Sequence, residues 1–110
     1  MAVYEFKQGD TAPLEATLSD RDGPVRLDAP GTLVTFAMGK ADDNLVITGP
    51  CVIVDDGSTE MRGKVVYEWG DGDTSDPGVY RAELTYTSPS GIVKTFPNDG
   101  WEDVIIRARV

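Results

Sequence analysis

Histidine is absent from this 110-residue chain, and cysteine occurs once, at Cys51. Without histidine there is no Ser-His-Asp arrangement, no imidazole general base, and none of the usual zinc ligand. One cysteine cannot close an intrachain disulfide, so the core must hold without one. Cys51 opens the apolar run Cys51-Val52-Ile53-Val54, where a cysteine reads as a small buried hydrophobe rather than a reactive thiol. Basic residues are also scarce. Ten Lys and Arg face nineteen Asp and Glu, for a formal net charge of -9. Nucleic acid and anionic membrane surfaces both require clustered positive charge. No such cluster occurs, so neither is an expected partner. No apolar stretch approaches the ~20 residues of a membrane-spanning helix. The opening MAVYEFKQGD lacks a basic segment followed by an apolar one, so no secretory signal is expected. Helical periodicity, internal repeats and low-complexity tracts are missing as well.

What the chain has instead is short alternating runs punctuated by Gly, Pro and Asp. Val3 to Lys7 places Tyr4 and Phe6 on one face. Leu14, Ala16 and Leu18 align in the next run, followed by the turn cluster Asp20 to Pro24 and a brief extended piece at Val25 and Leu27. Leu33 to Met38 aligns Val34, Phe36 and Met38, and Gly39 to Asn44 reads as a polar loop. Leu45 to Val54 is extended but interrupted at Gly49-Pro50, which predicts two short strands. Lys64 to Trp69 aligns Val65, Tyr67 and Trp69. Val79 to Thr87 alternates most cleanly, with Tyr80, Ala82, Leu84 and Tyr86 opposite Arg81, Glu83 and Thr85. Ile92 to Phe96 returns, and the chain closes with Val104, Ile106, Ala108 and Val110 aligned. A 40% hydrophobic content suits one folded core. The expectation is a single all-β domain over residues 1–110. About seven to nine strands would form an immunoglobulin-like antiparallel β-sandwich.

The segment Asp76-Pro77-Gly78-Val79-Tyr80 sharpens that expectation. It matches the D-x-G-x-Y pattern that opens strand F of immunoglobulin-like domains, where the Tyr hydroxyl bonds back to upstream backbone. Asp76, Gly78 and Tyr80 are therefore read as structural residues. Ala82 stands where antibody domains carry their second cysteine, as a disulfide-free core requires.

Several candidate sites are weighed against plainer roles. Asp71, Asp73 and Asp76 form a D-x-D-x-x-D run that could gather carboxylates around calcium. The EF-hand spacing fails, because the twelfth position from Asp71 is Ala82, and Asp and Gly in such runs ordinarily make tight turns. No metal site and no cofactor are expected. Paired carboxylates acting as acid and base lack a supporting motif. Trp69 shares a face with Val65 and Tyr67 and reads as core. Trp101, after a Pro-Asn-Asp-Gly turn, divides between core rim and interface.

Taken in order, several pieces of the chain resemble the N-terminal domain of phage baseplate upper proteins. They are Lys7 to Leu14 (KQGDTAPL), Gly23 to Leu27 (GPVRL), Val34 to Met38 (VTFAM) and Gly63 to Trp69 (GKVVYEW). Gly72-Asp73-Thr74, Pro77 to Tyr80 (PGVY) and Gly91 to Trp101 (GIVKTFPNDGW) complete the set. The resemblance implies an immunoglobulin-like domain in the tail of a long-tailed phage, docked onto a baseplate core, with no catalytic residues. The family's later segments hold receptor-binding proteins. This chain stops at Val110, so the expectation is an attachment module alone, and no enzyme.

The implied role is a virion structural protein, a small tail or baseplate component with capsid decoration as a close variant. Its partners would be other phage structural proteins in a symmetric assembly. Its location would be the virion, assembled in the host cytoplasm, and no small-molecule substrate is implied. The alternative is a carbohydrate-binding or host-adhesion module. Candidate interface residues are Val3, Tyr4, Trp101 and Ile105. They lie on the first strand, the 97–101 turn and the last strand, both strands being read as lightly guarded sheet edges.

Overall fold

The computed structural model of the chain describes residues 3–40, 46–97 and 100–109. It contains the strands β1 (Val3–Lys7), β2 (Leu14–Thr17), β3 (Ser19–Asp20), β4 (Gly23–Pro24), β5 (Leu33–Lys40) and β6 (Val46–Pro50). These continue as β7 (Val52–Ile53), β8 (Lys64–Tyr67), β9 (Gly78–Thr87), β10 (Val93–Phe96) and β11 (Glu102–Arg107). Six strands form one sheet in the order β1-β11-β9-β5-β6, with β10 also paired to β9. The facing sheet runs β2-β8-β7. This is the immunoglobulin-like arrangement: β9 corresponds to strand F, β5 to C, β6 to C′, and β2-β8-β7 to B, E and D.

Alternation decides which side chains are buried. Val34, Phe36 and Met38 of β5 point inward with Tyr80, Ala82 and Leu84 of β9 and Val104 and Ile106 of β11. Leu14, Ala16, Val65 and Tyr67 meet them from the other sheet. At the centre Phe36 stacks on Tyr67 with ring centroids 4.4 Å apart. Trp69 stands at right angles to Phe6, Phe36 and Tyr67, at 5.1, 6.0 and 5.4 Å. Small Ala16 and Ala82 are both buried, so the core fills with aromatic rings where related folds place a disulfide.

Five expectations need correction. The structure has eleven strand segments among the described residues, not seven to nine. The surplus comes from the two-residue strands β3 and β4 at the expected turn cluster and from β6 and β7 standing as separate segments of the 45–54 run. The sandwich is not wholly antiparallel, because β1 runs parallel to β11. The last strand is not an edge: β11 lies between β1 and β9, and Ile105 is half-buried rather than exposed. It also ends at Arg107, leaving Ala108 exposed, while Val110 lies outside the described residues. The break in the 45–54 run falls at Cys51 and not at Gly49-Pro50. Pro50 ends an edge strand, where no ladder N–H is required of it. Cys51 N–H then bonds Val34 C=O at 2.8 Å as the chain crosses to the other sheet. The polar loop expected at Gly39 to Asn44 also begins later, because Gly39 and Lys40 extend β5; residues 41–44 and the start of the next run at Leu45 lie outside the described residues.

The parallel pair is clasped beyond its ladder. Gln8 N–H donates to Arg107 C=O at 2.8 Å, and the Arg107 guanidinium pairs with Glu5 at 2.6 Å. Arg109 Nε donates to Gln8 C=O at 2.8 Å.

A buried carboxylate ties the loops at one end. Asp55 Oδ2 accepts from Leu27 N–H at 2.9 Å and Gly63 N–H at 3.0 Å, and Oδ1 accepts from Gly57 N–H at 2.9 Å. Gly63 has φ +78°, and a Cβ there would lie 2.7 Å from Leu18 C=O, so only glycine fits. Burial pushes the Asp55 carboxyl up, but the N–H donors of Gly63, Gly57 and Leu27, helped by nearby Arg26, outweigh it and hold it below the usual carboxylate value.

Candidate protein interface

The D-x-G-x-Y segment forms a tyrosine corner. Tyr80 is fully buried, and its hydroxyl donates to Asp76 C=O at 2.5 Å. Lys40 lies over the Tyr80 ring, 5.5 Å from its centroid, and pairs with the Asp76 carboxylate at 2.9 Å. A Cβ at Gly78 would meet Lys40 Cε at 2.7 Å, so a side chain there would push Lys40 off the corner. Tyr80→Phe is expected to lower stability by about 1 kcal/mol, the net worth of a hydrogen bond from a buried hydroxyl to a partly buried carbonyl. Urea unfolding of both proteins measures this, and an unchanged midpoint would remove the corner's structural role.

The aspartates near it are occupied with turns. Asp73 Oδ2 accepts from Gly70 N–H at 2.7 Å and from the Tyr67 hydroxyl at 3.0 Å. Burial first, then this bond and the Asp73 charge, push the Tyr67 hydroxyl up to about 12. Asp71 is exposed, and Asp76 faces Lys40. No group of three or more potential ligands is gathered for a metal ion among the described residues. Cys51 is half-buried, and burial pushes its thiol up to about 11, which keeps it protonated at neutral pH.

Three of the four candidate interface residues share one surface, the outward face of the six-stranded sheet. Val3 sits in register with Asp103, which pairs with Arg81, which pairs with Gly39. Ile105 pairs with Val79 one row along. Trp101 joins them through Arg81, whose guanidinium carbon is 4.0 Å from the ring centroid, a cation–π geometry. Trp101, Arg81, Glu83, Ala37 and Gly39 line a groove of about 310 Å³. Tyr4 is the exception. It alternates with Val3, pairs with fully buried Val104, and turns toward the other sheet.

Sequence reasoning missed the rest of this face. A row of threonines, Thr35, Thr85 and Thr95, crosses β5, β9 and β10. Leu33 and Val93 lie beyond it, both in register with Thr87. Of the six large apolar side chains left exposed among the described residues, four (Val3, Leu33, Val79 and Val93) belong to this surface. Its three cations (Lys7, Arg81, Arg107) equal its three anions (Glu5, Glu83, Asp103), whereas the chain carries -9. The polar side of each strand was legible, but only cross-strand register shows that these positions assemble into one plane. No protein-family model matches the chain, and no curated protein matches it.

Proposed function

We propose that the protein is a docking module of a phage virion, a small tail or baseplate component that attaches to neighbouring structural subunits and performs no catalysis. One observation carries the docking part: exposed apolar side chains gather on one electroneutral sheet face of a strongly acidic molecule. The apolar side chains form a patch at each end of the face, Val3 with Ile105 and Val79 at one and Leu33 with Val93 at the other, flanking Arg81, Glu83 and the threonine row. Exposed apolar patches mark protein contacts, and cancelling local charge removes the repulsion that the net charge would impose there. The phage assignment rests on the ordered resemblance running from Lys7 to Trp101. The carbohydrate reading is weaker, because Trp101 is half-buried and Arg81 already covers one face of its ring, leaving less of it to stack on a sugar.

The test uses purified particles of the producing phage. Mass spectrometry should find the chain there in a stoichiometry set by particle symmetry. Thr85→Lys, in the middle of the face, should leave the melting temperature unchanged and prevent incorporation. Absence of the chain from washed particles would remove the virion reading. Normal incorporation of the Thr85→Lys variant would remove this face from it.

A further inference from the structure

The smaller sheet is one strand short. Immunoglobulin-type sandwiches place a strand A beside B, giving A-B-E-D. Here the sheet begins at β2, and no strand among the described residues pairs with its outer side. The reason lies in β1, which takes the parallel position beside β11 in the other sheet.

The orientation of the open edge follows from one bond. Leu18 N–H donates to Gly63 C=O at 2.8 Å, continuing the β2–β8 ladder. In an antiparallel pair the bonded positions alternate. The backbone groups of Leu14 and Ala16 therefore face β8, and those of Glu15 and Thr17 face away. Beside this edge lie two grooves of about 430 and 370 Å³, both lined by Tyr4, Thr17 and Glu102. Leu84 and Phe96, otherwise core residues, form part of the second. Of the other free edges, β7 is two residues long, β6 ends at Pro50 and β10 runs into Pro97, while β1 carries both Glu5 and Lys7 and is the edge against which selectivity must be tested. On β2 the only charge is Glu15, which makes no salt bridge among the described residues.

We propose that β2 is an acceptor edge for an extended segment of a partner protein, which adds a fourth strand to the β2-β8-β7 sheet. Alternation sets the chemistry of that segment. Side chains on one side meet Tyr4, Leu84 and Phe96 and must be apolar. Those on the other side stand beside Glu15, on a chain of net charge -9, and should be basic. Unpaired ladder groups supply affinity, and the two-residue alternation supplies selectivity.

Amide hydrogen exchange, read residue by residue by NMR on the whole protein, tests this. The probe is a short peptide of alternating valine and lysine, with alternating valine and glutamate as its counterpart. In free protein the Glu15 and Thr17 amides should exchange rapidly. With the lysine peptide at ten times its Kd, both should slow by about tenfold, with β1 and β6 amides unchanged. Thr17→Pro removes one outward donor while sparing the bond to β8, and should abolish the protection. Glu15→Arg, a surface change, should shift the preference to the glutamate peptide. Slow exchange of both amides in free protein would show the edge already filled and overturn the proposal. So would protection that is absent, or that is shared equally with other edges. The site is separate from the flat face, and particle incorporation reports on that face independently of amide exchange here.

Discussion

Asp55→Ala should lower the stability of the protein by about 3–5 kcal/mol, because it leaves two buried N–H groups without acceptors. Those of Leu27 and Gly63 both bond Oδ2, and Gly57 bonds Oδ1. In a domain this small each kcal/mol shifts the melting temperature by about 4–8 °C, so thermal unfolding reads the change directly. The effect should depend on pH. The folded carboxyl titrates below its unfolded counterpart, so its stabilisation is complete above the unfolded value, about 3.9, and is lost as pH falls through the folded one. The gap between wild type and Asp55→Ala should therefore narrow in acid below about pH 4. A gap that stays constant from neutral pH into strong acid would mean that the carboxylate charge contributes nothing.

Phe36→Ala should cost a similar amount, about 3–5 kcal/mol, through lost burial and the cavity left behind. Phe36 is 1% exposed and packs on Tyr67 across the two sheets, with Trp69 edge-on. The ring joins the sheets where no disulfide does. Urea denaturation followed by tryptophan emission should show both a lower midpoint and a changed native spectrum, since Trp69 loses a neighbour. A loss below about 1 kcal/mol would mean that the site collapses readily and the cluster is loosely packed.

Much of this core was legible from period-two alternation. Val34, Phe36 and Met38, and Tyr80, Ala82 and Leu84, read as inward from the sequence and are buried. Asp55 was legible only in part. An Asp-Asp-Gly run signals a turn, and the bond to Gly57 two residues on is of that kind. The bond to Leu27, 28 residues away, has no local signature, because nothing near Asp55 encodes which loop will meet it. Strand order was illegible for the same reason. The last strand alternates like an edge strand, yet β1 covers it, and a parallel partner at the far end of the chain leaves no turn motif to read. The candidate face suffered likewise: Val3, Ile105 and Trp101 were each identifiable, while Arg81 and the threonine row needed cross-strand register.

The parallel pairing of β1 with β11 has a mechanical consequence. Because the two strands run the same way, Val3 lies at one end of the pair and Arg107 at the other. Tension applied through the two ends of the chain would pull the strands past each other along their length. All five registered pairs would then bear the load together and have to fail together, whereas an antiparallel hairpin peels open one bond at a time. The Arg107–Glu5 pair and the Arg109 bond to Gln8 lie along the same line of force. A domain wired this way resists stretching far better than its modest size suggests.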